Sequence, residues 1–418
     1  MRMSTPSAGR NNKQMNDVII IGGGAAGLTA ALSASKQGAP VTVLEAAPRV
    51  GRKILASGNG RCNLANLGAM RYNGDTALAG AVMEALPPAR VLAFFASLGL
   101  VTVEETGGRV YPACGQAAAV LDVLRLTLDR QGVKVVCEAP VTKLERTKAG
   151  FRAVTPQGAF EAPAVVAAFG GMAGGKLGHD GGPYQLLTKL GHTLVPPRPA
   201  LTALVTEKKA VRGLSGLRLP ARLTLCDGVK PVEAASGEAL FTDYGVSGVC
   251  AMQLSRTAGE LLNRGKQPVL YLDFSPMLGL TLRIYDRVEA GDPFANVPLL
   301  LACLQERQHT LPREALLTGL APRLLAERLK GLALPELAKH LAAFLAPVIG
   351  VRGMENAQVT AGGIRGSEFD PKTLQSRRCP GLFAAGEALD VDGDCGGYNL
   401  QFAFASGLIA GENAAKKK

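Results

Sequence analysis

The chain opens its regular pattern with a β-branched apolar run, Asp17 to Ile21, which stops at a glycine cluster. A helix-forming stretch follows to Gln37, and a second apolar run spans Val41 to Leu44. Val133 to Glu138 reads as a further strand. VTKLER, FRAVT and AFEA, separated by TKAG and PQG, alternate in polarity and predict a small antiparallel meander, after which Val165 to Phe169 returns as a buried strand. Pro196, Pro197, Arg198 and Pro199 form a stiff break that suggests a domain boundary. Beyond it, short strand-like pieces run to Phe274, and Leu280 to Leu345 is leucine-rich at helical spacing. Near Asn356 the first pattern resumes: Leu382 to Ala385 is a short strand, and a helix opens at Gly396 and Gly397. The expected organisation is one α/β domain from 17–194 and 355–418, an inserted antiparallel β domain at 195–277 and a helical subdomain at 278–354. Residues 1–16 read as a disordered tail, with Met15 a candidate start, and Lys416 to Lys418 as a second tail.

At 418 residues, with 47% hydrophobic and 19% charged positions, the chain is globular rather than disordered or fibrous. Its polar N-terminus lacks the apolar stretch of a secretory signal, and no uncharged apolar run is long enough to span a bilayer, so no membrane is expected. The eight cysteines contain no C-x-x-C pair, which argues against a structural zinc site and a dithiol redox centre and for a reduced cytoplasm. No metal is expected. The net charge of +12 points to a polyanionic partner or to plain solubility.

Gly22, Gly24 and Gly27 stand in G-x-G-x-x-G spacing between the first strand and its helix, and Glu45 closes the second strand. Such a βαβ unit holds a dinucleotide: the glycines allow a tight turn, close pyrophosphate approach and helix packing, while the helix N-terminus offers free N–H groups. Glu45 is placed to accept from both ribose hydroxyls. This unit alone leaves FAD and NAD open. The distant strand, acid and glycine unit at 379–411 decides for FAD, because a cofactor lying along the sheet edge needs walls from another part of the chain.

Five motifs carry a wider likeness: GRKILASGNGRCN at 51–63, GRVYP at 108–112, LFTDYGVSG at 240–248, VTAGGI at 359–364 and PGLFAAGEALDVDGDCGGYNLQFAFASG at 380–407. Through them the sequence resembles the bacterial FAD-containing flavoproteins that include dehydro-bile-acid reductases, aminoacetone oxidases and ribosomal RNA dihydrouridine synthases. The resemblance implies a Rossmann-like, glutathione-reductase-type FAD domain with a parallel sheet and β-meander crossover, plus a barrel-like antiparallel insertion and a small helical subdomain. It also implies tightly bound, non-covalent FAD. Gly22, Gly24, Ala25, Ala26, Gly27, Glu45 and Ala46 would hold the adenosine diphosphate half. Arg52, Lys53, Ser57, Gly58, Gly60, Arg61, Cys62 and Asn63 would line the flavin and pyrophosphate side, with Val141, Phe169, Gly170 and Gly171 nearby. Gly386, Glu387, Asp390, Asp392, Gly397, Tyr398, Asn399, Leu400 and Gln401 would surround the ribityl chain and the pyrimidine end of the ring. Phe169 stands where a threonine is common, Asp243 where a histidine is frequent, and the loop at 174–184 is irregular; all three lie near the expected substrate face.

No second glycine fingerprint follows a strand, so NAD(P)H is expected to visit the flavin transiently, with hydride passing on to an activated C=C bond or to oxygen. Cys62, beside Arg61, is a candidate proton donor whose thiol a nearby cation would acidify, or else a packing residue; Cys395 is a weaker candidate. Tyr398 is either a hydrogen-bond donor or a packing ring, and His179 either a general acid or a solvated loop residue. His192, His309 and His340 have no partner spacing. Lys208, Lys209, Arg212, Arg218 and Arg222 form a basic segment able to track a phosphate backbone, without interleaved aromatics for base stacking. The leading expectation is reduction of uracil in 23S ribosomal RNA to dihydrouridine. The alternative is a small-molecule flavoenzyme, either an enone or dehydro-bile-acid reductase or an amine oxidase of the aminoacetone type, and the non-enzymatic alternative is a flavin-storage or structural protein.

Overall fold

The computed structural model describes residues 17–278 and 287–416. The expected tail at 1–16 and Lys417–Lys418 lie outside them, as does the first part of the leucine-rich stretch. Strand β1 (Val18–Ile21), helix α1 (Ala25–Lys36) and strand β2 (Val41–Leu44) form the predicted unit. With β3 (Lys134–Val136), β4 (Ala164–Ala167) and β5 (Leu382–Ala384) they build a parallel sheet in the order β5-β4-β1-β2-β3. Every residue of β1, β2, β4 and β5 is buried, as expected of a sheet covered on both faces. The meander Lys143–Thr147, Gly150–Thr155 and Gly158–Ala162 is antiparallel and crosses from β3 to β4.

The proline run is not a break. Leu194–Ala200 is a strand paired with Val359–Ile364, and its register shifts between Val195 and Arg198. A two-stranded ladder leaves one edge free, and the bulge takes up the prolines that have no N–H to donate.

The insertion is a closed antiparallel barrel. Arg218–Asp227 pairs with Pro268–Asp273, then Phe344–Val351, Leu204–Thr206, Gly245–Ser247 and Lys230–Phe241, which pairs back with Arg218–Asp227. Helix α2 (Val249–Asn263) buries Cys250, Leu254 and Ala258 among barrel residues such as Leu223, Leu225 and Leu272. Phe344–Val351 lies in the segment expected to be helical, yet it is a barrel strand. Phe344, Ala346 and Val348 point inward while Leu345 and Ile349 are exposed, so a period of two is hidden in a run with apolar residues on both faces. Helices at Val297–Gln308, Arg323–Arg328 and Leu334–Ala342 bury Leu300, Leu304, Leu325, Leu337 and Leu341 in the same core as the barrel rather than in one of their own. The chain leaves and re-enters the α/β domain side by side: the Gln358 amide donates to the Leu201 carbonyl at 3.2 Å and the Arg352 amide to that of Ala203 at 2.9 Å.

The last helix, α3 (Tyr398–Ala414), packs directly on α1. A Cβ on Gly407 or Gly411 would collide with the carbonyl of Ala26 or Ala30, and Ser33 Oγ donates to the Leu408 carbonyl at 2.8 Å. This contact sets the N-termini of α1 and α3 on one cleft. Lys416, placed by the sequence in a tail, pairs with Glu412 at 3.2 Å.

Candidate active site

A cleft of about 660 Å³ runs from the Gly22–Gly24 turn past the Arg52–Ala56 helix to the start of α3. The three fingerprint glycines have separate reasons. Gly22, at φ +104°, would drive a Cβ into the Ala168 carbonyl; Gly27 would drive one into the Gly22 carbonyl; Gly24 faces open space on the cleft. Glu45 Oε2 accepts from the Gly23 amide at 2.6 Å and Oε1 from the Ala47 amide at 2.8 Å, so the carboxylate braces the glycine turn and keeps further lone pairs for a diol. Ala25 and Ala26 also line the cleft. Ala46 does not; its neighbours Ala47 and Arg49 do.

On the middle wall, Lys53 Nζ meets Glu387 Oε2 at 2.7 Å, and Glu387 Oε1 accepts from the Thr360 amide at 2.7 Å. A Cβ on Gly171 would come within 2.5 Å of Thr360 Oγ1 and 2.7 Å of Glu387 Cδ, so only glycine fits beside this pair. Phe169, Gly170, Arg52, Ser57, Gly58, Arg61 and Asn63 line the cleft, and so do Gly397, Asn399 and Leu400. Asn63 is buried, and its Oδ1 has no partner among the described residues, leaving an acceptor for a bound donor. Open glycine faces, two free helix N-termini and this orphan acceptor fit a flavin dinucleotide.

Other expected positions do not reach the cleft. Gly60 and Val141 lie off it, and Gly386 packs against the Ala26 methyl. Gln401, buried, accepts from the Asn66 amide at 2.8 Å, and Asp392, also buried, pairs with Arg256 of α2. Asp390 opens instead on a second cavity of about 530 Å³ beside Arg198 and Arg256. These side chains hold the walls together.

The three candidate acids are corrected in the same way. Cys62 is fully buried, and burial pushes its thiol up to about 12, opposite to the expected acidification. Arg61 does not serve it: the guanidinium binds Glu105 Oε1 at 2.5 Å and lies 4.2 Å from the centre of the Tyr111 ring. Tyr398 is only 5% exposed; its ring meets Tyr72 edge-on at 5.9 Å, and the Tyr72 hydroxyl donates to its carbonyl at 3.1 Å. His179 accepts from the Gly181 amide through Nδ1 at 2.9 Å, so its proton sits on Nε2, 3.1 Å from the Gly170 carbonyl. Its ring stacks edge-on against Phe169 and Tyr184, and burial keeps it neutral, so it buttresses the Phe169–Gly171 loop. Cys395 lines the cleft, with burial pushing its thiol up to about 11.

The basic segment lies on the barrel, away from the cleft. Lys209 pairs with Glu207 at 2.7 Å, Arg218 with Glu238 at 3.1 Å, and Arg222 donates to the Glu289 carbonyl at 2.6 Å. Cleft residues that sequence reasoning passed over are Arg109 and Tyr111, visible in the GRVYP motif, and Val359, which opens the VTAGGI motif, together with Leu201, Val249 and Gln358 at the domain junction, which carried no signal. Among the described residues no cluster of His, Cys, Asp or Glu is placed to hold a metal, and no single helix is long and apolar enough to cross a membrane.

Residues 16–413 match the HI0933-like protein Rossmann domain. The chain belongs to this family. The 3-dehydro-bile acid delta(4,6)-reductase of Clostridium scindens is 38% identical over 96% of this chain and all of its own length. The ribosomal RNA dihydrouridine synthase of Haemophilus influenzae is 28% identical over 94% of this chain and 97% of its own. The 3-ketosteroid-Δ4-(5α)-dehydrogenase of Rhodococcus jostii RHA1 shares the fold, at 18% identity and a TM-score of 0.52 over 98% of both chains. The family and the Rossmann-plus-barrel architecture expected from the motifs therefore hold.

Proposed function

We propose that this protein reduces the activated C=C bond of a small apolar enone, with FAD held non-covalently in the cleft and NAD(P)H as a transient electron donor. The observation that carries the choice of substrate is the wall at the domain junction, where Leu201, Val249, Ala357 and Val359 present apolar surface to the cleft. The reductase relative agrees, being more similar than the ribosomal RNA enzymes, so small-molecule reduction displaces the RNA reading as the first choice.

When bound, the flavin supplies two-electron hydride chemistry. The chain supplies position and electrostatics. The free amides at the start of α1 suit a pyrophosphate, and Lys53, neutralised by Glu387, fixes the middle of the cleft without leaving a bare cation. Asn63 Oδ1 and the α3 N-terminus face the opposite end. The apolar junction excludes water from the reacting face.

Dihydrouridine synthesis is the second reading, favoured by the relatives of Haemophilus influenzae and Escherichia coli. Anaerobic reduction with NADPH, followed by either a 3-keto-4-ene steroid or undermodified ribosomal RNA, separates the two. Rapid reoxidation by the steroid is expected; reoxidation by RNA alone would overturn the first reading.

A further inference from the structure

Reduction of a polarised C=C bond needs a proton as well as a hydride, and none of the three acids expected from sequence can deliver one into the cleft. Among the described residues three carboxylates line the cleft: Glu45 and Glu387 are occupied as hydrogen-bond or ion-pair acceptors, Lys53 is bound to the second, and Asp394 is 2% exposed. Tyr111 is different. It lies on the strand Arg109–Pro112, and a period of two puts its side chain on the same face as Arg109, which also lines the cleft. The Arg61 guanidinium lies 4.2 Å from its ring centre, and Gly58, where any Cβ would sit 3.6 Å from the ring edge, leaves room beside it. Arg61 thus covers the phenol ring, Arg109 lines the cleft on the same strand face, and Asn63 lies close by, across Gly58.

We propose that Tyr111 is the proton donor of the reduction, giving its phenolic hydrogen to the carbon next to the substrate carbonyl. The proposal rests on the C=C-reduction reading above. Once a hydride has added at the β-carbon, the π pair of the C=C bond moves to the carbonyl oxygen as an enolate. The enolate then re-forms the carbonyl as its α-carbon takes the proton from Tyr111 Oη, and water re-protonates the phenolate. The product has gained one hydride and one proton. Burial pushes the Tyr111 pKa up, which keeps the proton in place at neutral pH, while Arg109 and Arg61 pull in the other direction and ease its departure.

The test uses Tyr111→Phe and Tyr111→His in the flavin-loaded protein with a 3-keto-4-ene steroid in D2O. Tyr111→Phe should slow steroid-dependent reoxidation by about 10²–10⁴-fold. Reduction by NADPH, and the steroid Kd read from the flavin absorption, should stay within about threefold, the tolerance expected when only the proton-transfer step is lost. The product of the wild type should carry deuterium at the α-carbon in a single configuration, the residual product of Tyr111→Phe in both. Tyr111→His restores a protic side chain and should recover part of the rate and the single configuration, which serves equally if the Phe variant does not retain flavin. Reoxidation within threefold of wild type in Tyr111→Phe, or loss in Cys395→Ala with retention in Tyr111→Phe, would overturn the assignment to Tyr111 alone. A wild-type protein that reduces no enone would overturn the substrate reading and this assignment together.

Discussion

The Cys62 thiol is enclosed at φ +58° between Arg61 and Asn63, and its nearest polar company is Ser57. Burial disfavours the thiolate, so a pKa near 12 leaves it protonated across the neutral range. Cys250 is held up to about 12 in the same way, whereas Cys114 is exposed. In the native protein at pH 8, a thiol reagent such as DTNB should therefore modify Cys114 within minutes and leave Cys62 and Cys250 untouched until denaturant is added. Rapid labelling of Cys62, read by peptide mass spectrometry, would contradict the buried-thiol account. The same logic of burial removes His179 from acid duty: both ring nitrogens are engaged and desolvation lowers its pKa, so it works through Gly170 and Gly181 rather than on a ligand.

Between elements, the decisive contact is that of α2 with the C-terminal strand Val391–Gly393. Arg256 reaches from the barrel helix to Asp392, which is 3% exposed, and also meets Glu260 at 3.3 Å. Removing the cation leaves a buried carboxylate uncompensated, and Arg256→Met is expected to cost about 3–5 kcal/mol at neutral pH. Burial already raises the Asp392 pKa, with Arg256 opposing the rise. A carboxyl with a folded pKa above its unfolded value binds its proton more tightly in the folded chain, so it favours folding at low pH and opposes it as pH rises through the folded pKa. Without Arg256 that shift grows. The melting-temperature deficit of Arg256→Met against wild type should therefore be largest near pH 8 and shrink toward pH 5; a deficit independent of pH would show that Asp392 is not the group left behind.

At the scale of the molecule, one core lies around the parallel sheet and a second joins barrel and helices, and the cleft opens where the chain passes between them. A ligand seated there bridges both. Saturation with FAD at about a hundredfold excess over its Kd should stabilise the folded chain by about 2.7 kcal/mol. The apoprotein should accordingly melt several degrees lower and regain its melting temperature together with the visible flavin spectrum. A colourless protein whose melting is unaffected by FAD would sink the account of the cleft.

The βαβ unit, the meander and the C-terminal acid-glycine unit were legible because their determinants are local: β-branched runs, glycines where a Cβ would meet a carbonyl, and helix-forming stretches between them. The family motifs likewise marked most of the cleft wall, including Lys53, Asn63 and Glu387. Tertiary structure alone decided which marked side chains face the cleft and which brace it, because a side chain's environment depends on neighbours hundreds of residues away: Lys53 on Glu387, Asp392 on Arg256, Asn66 on Gln401. It also decided that Phe344–Val351 closes the barrel and that prolines sit in a strand, since pairing partners and free edges are not written in local pattern. Sequence determined the cofactor's frame through local backbone sterics; only the folded chain, by setting burial and long-range charge pairing, determined which protons are available within it.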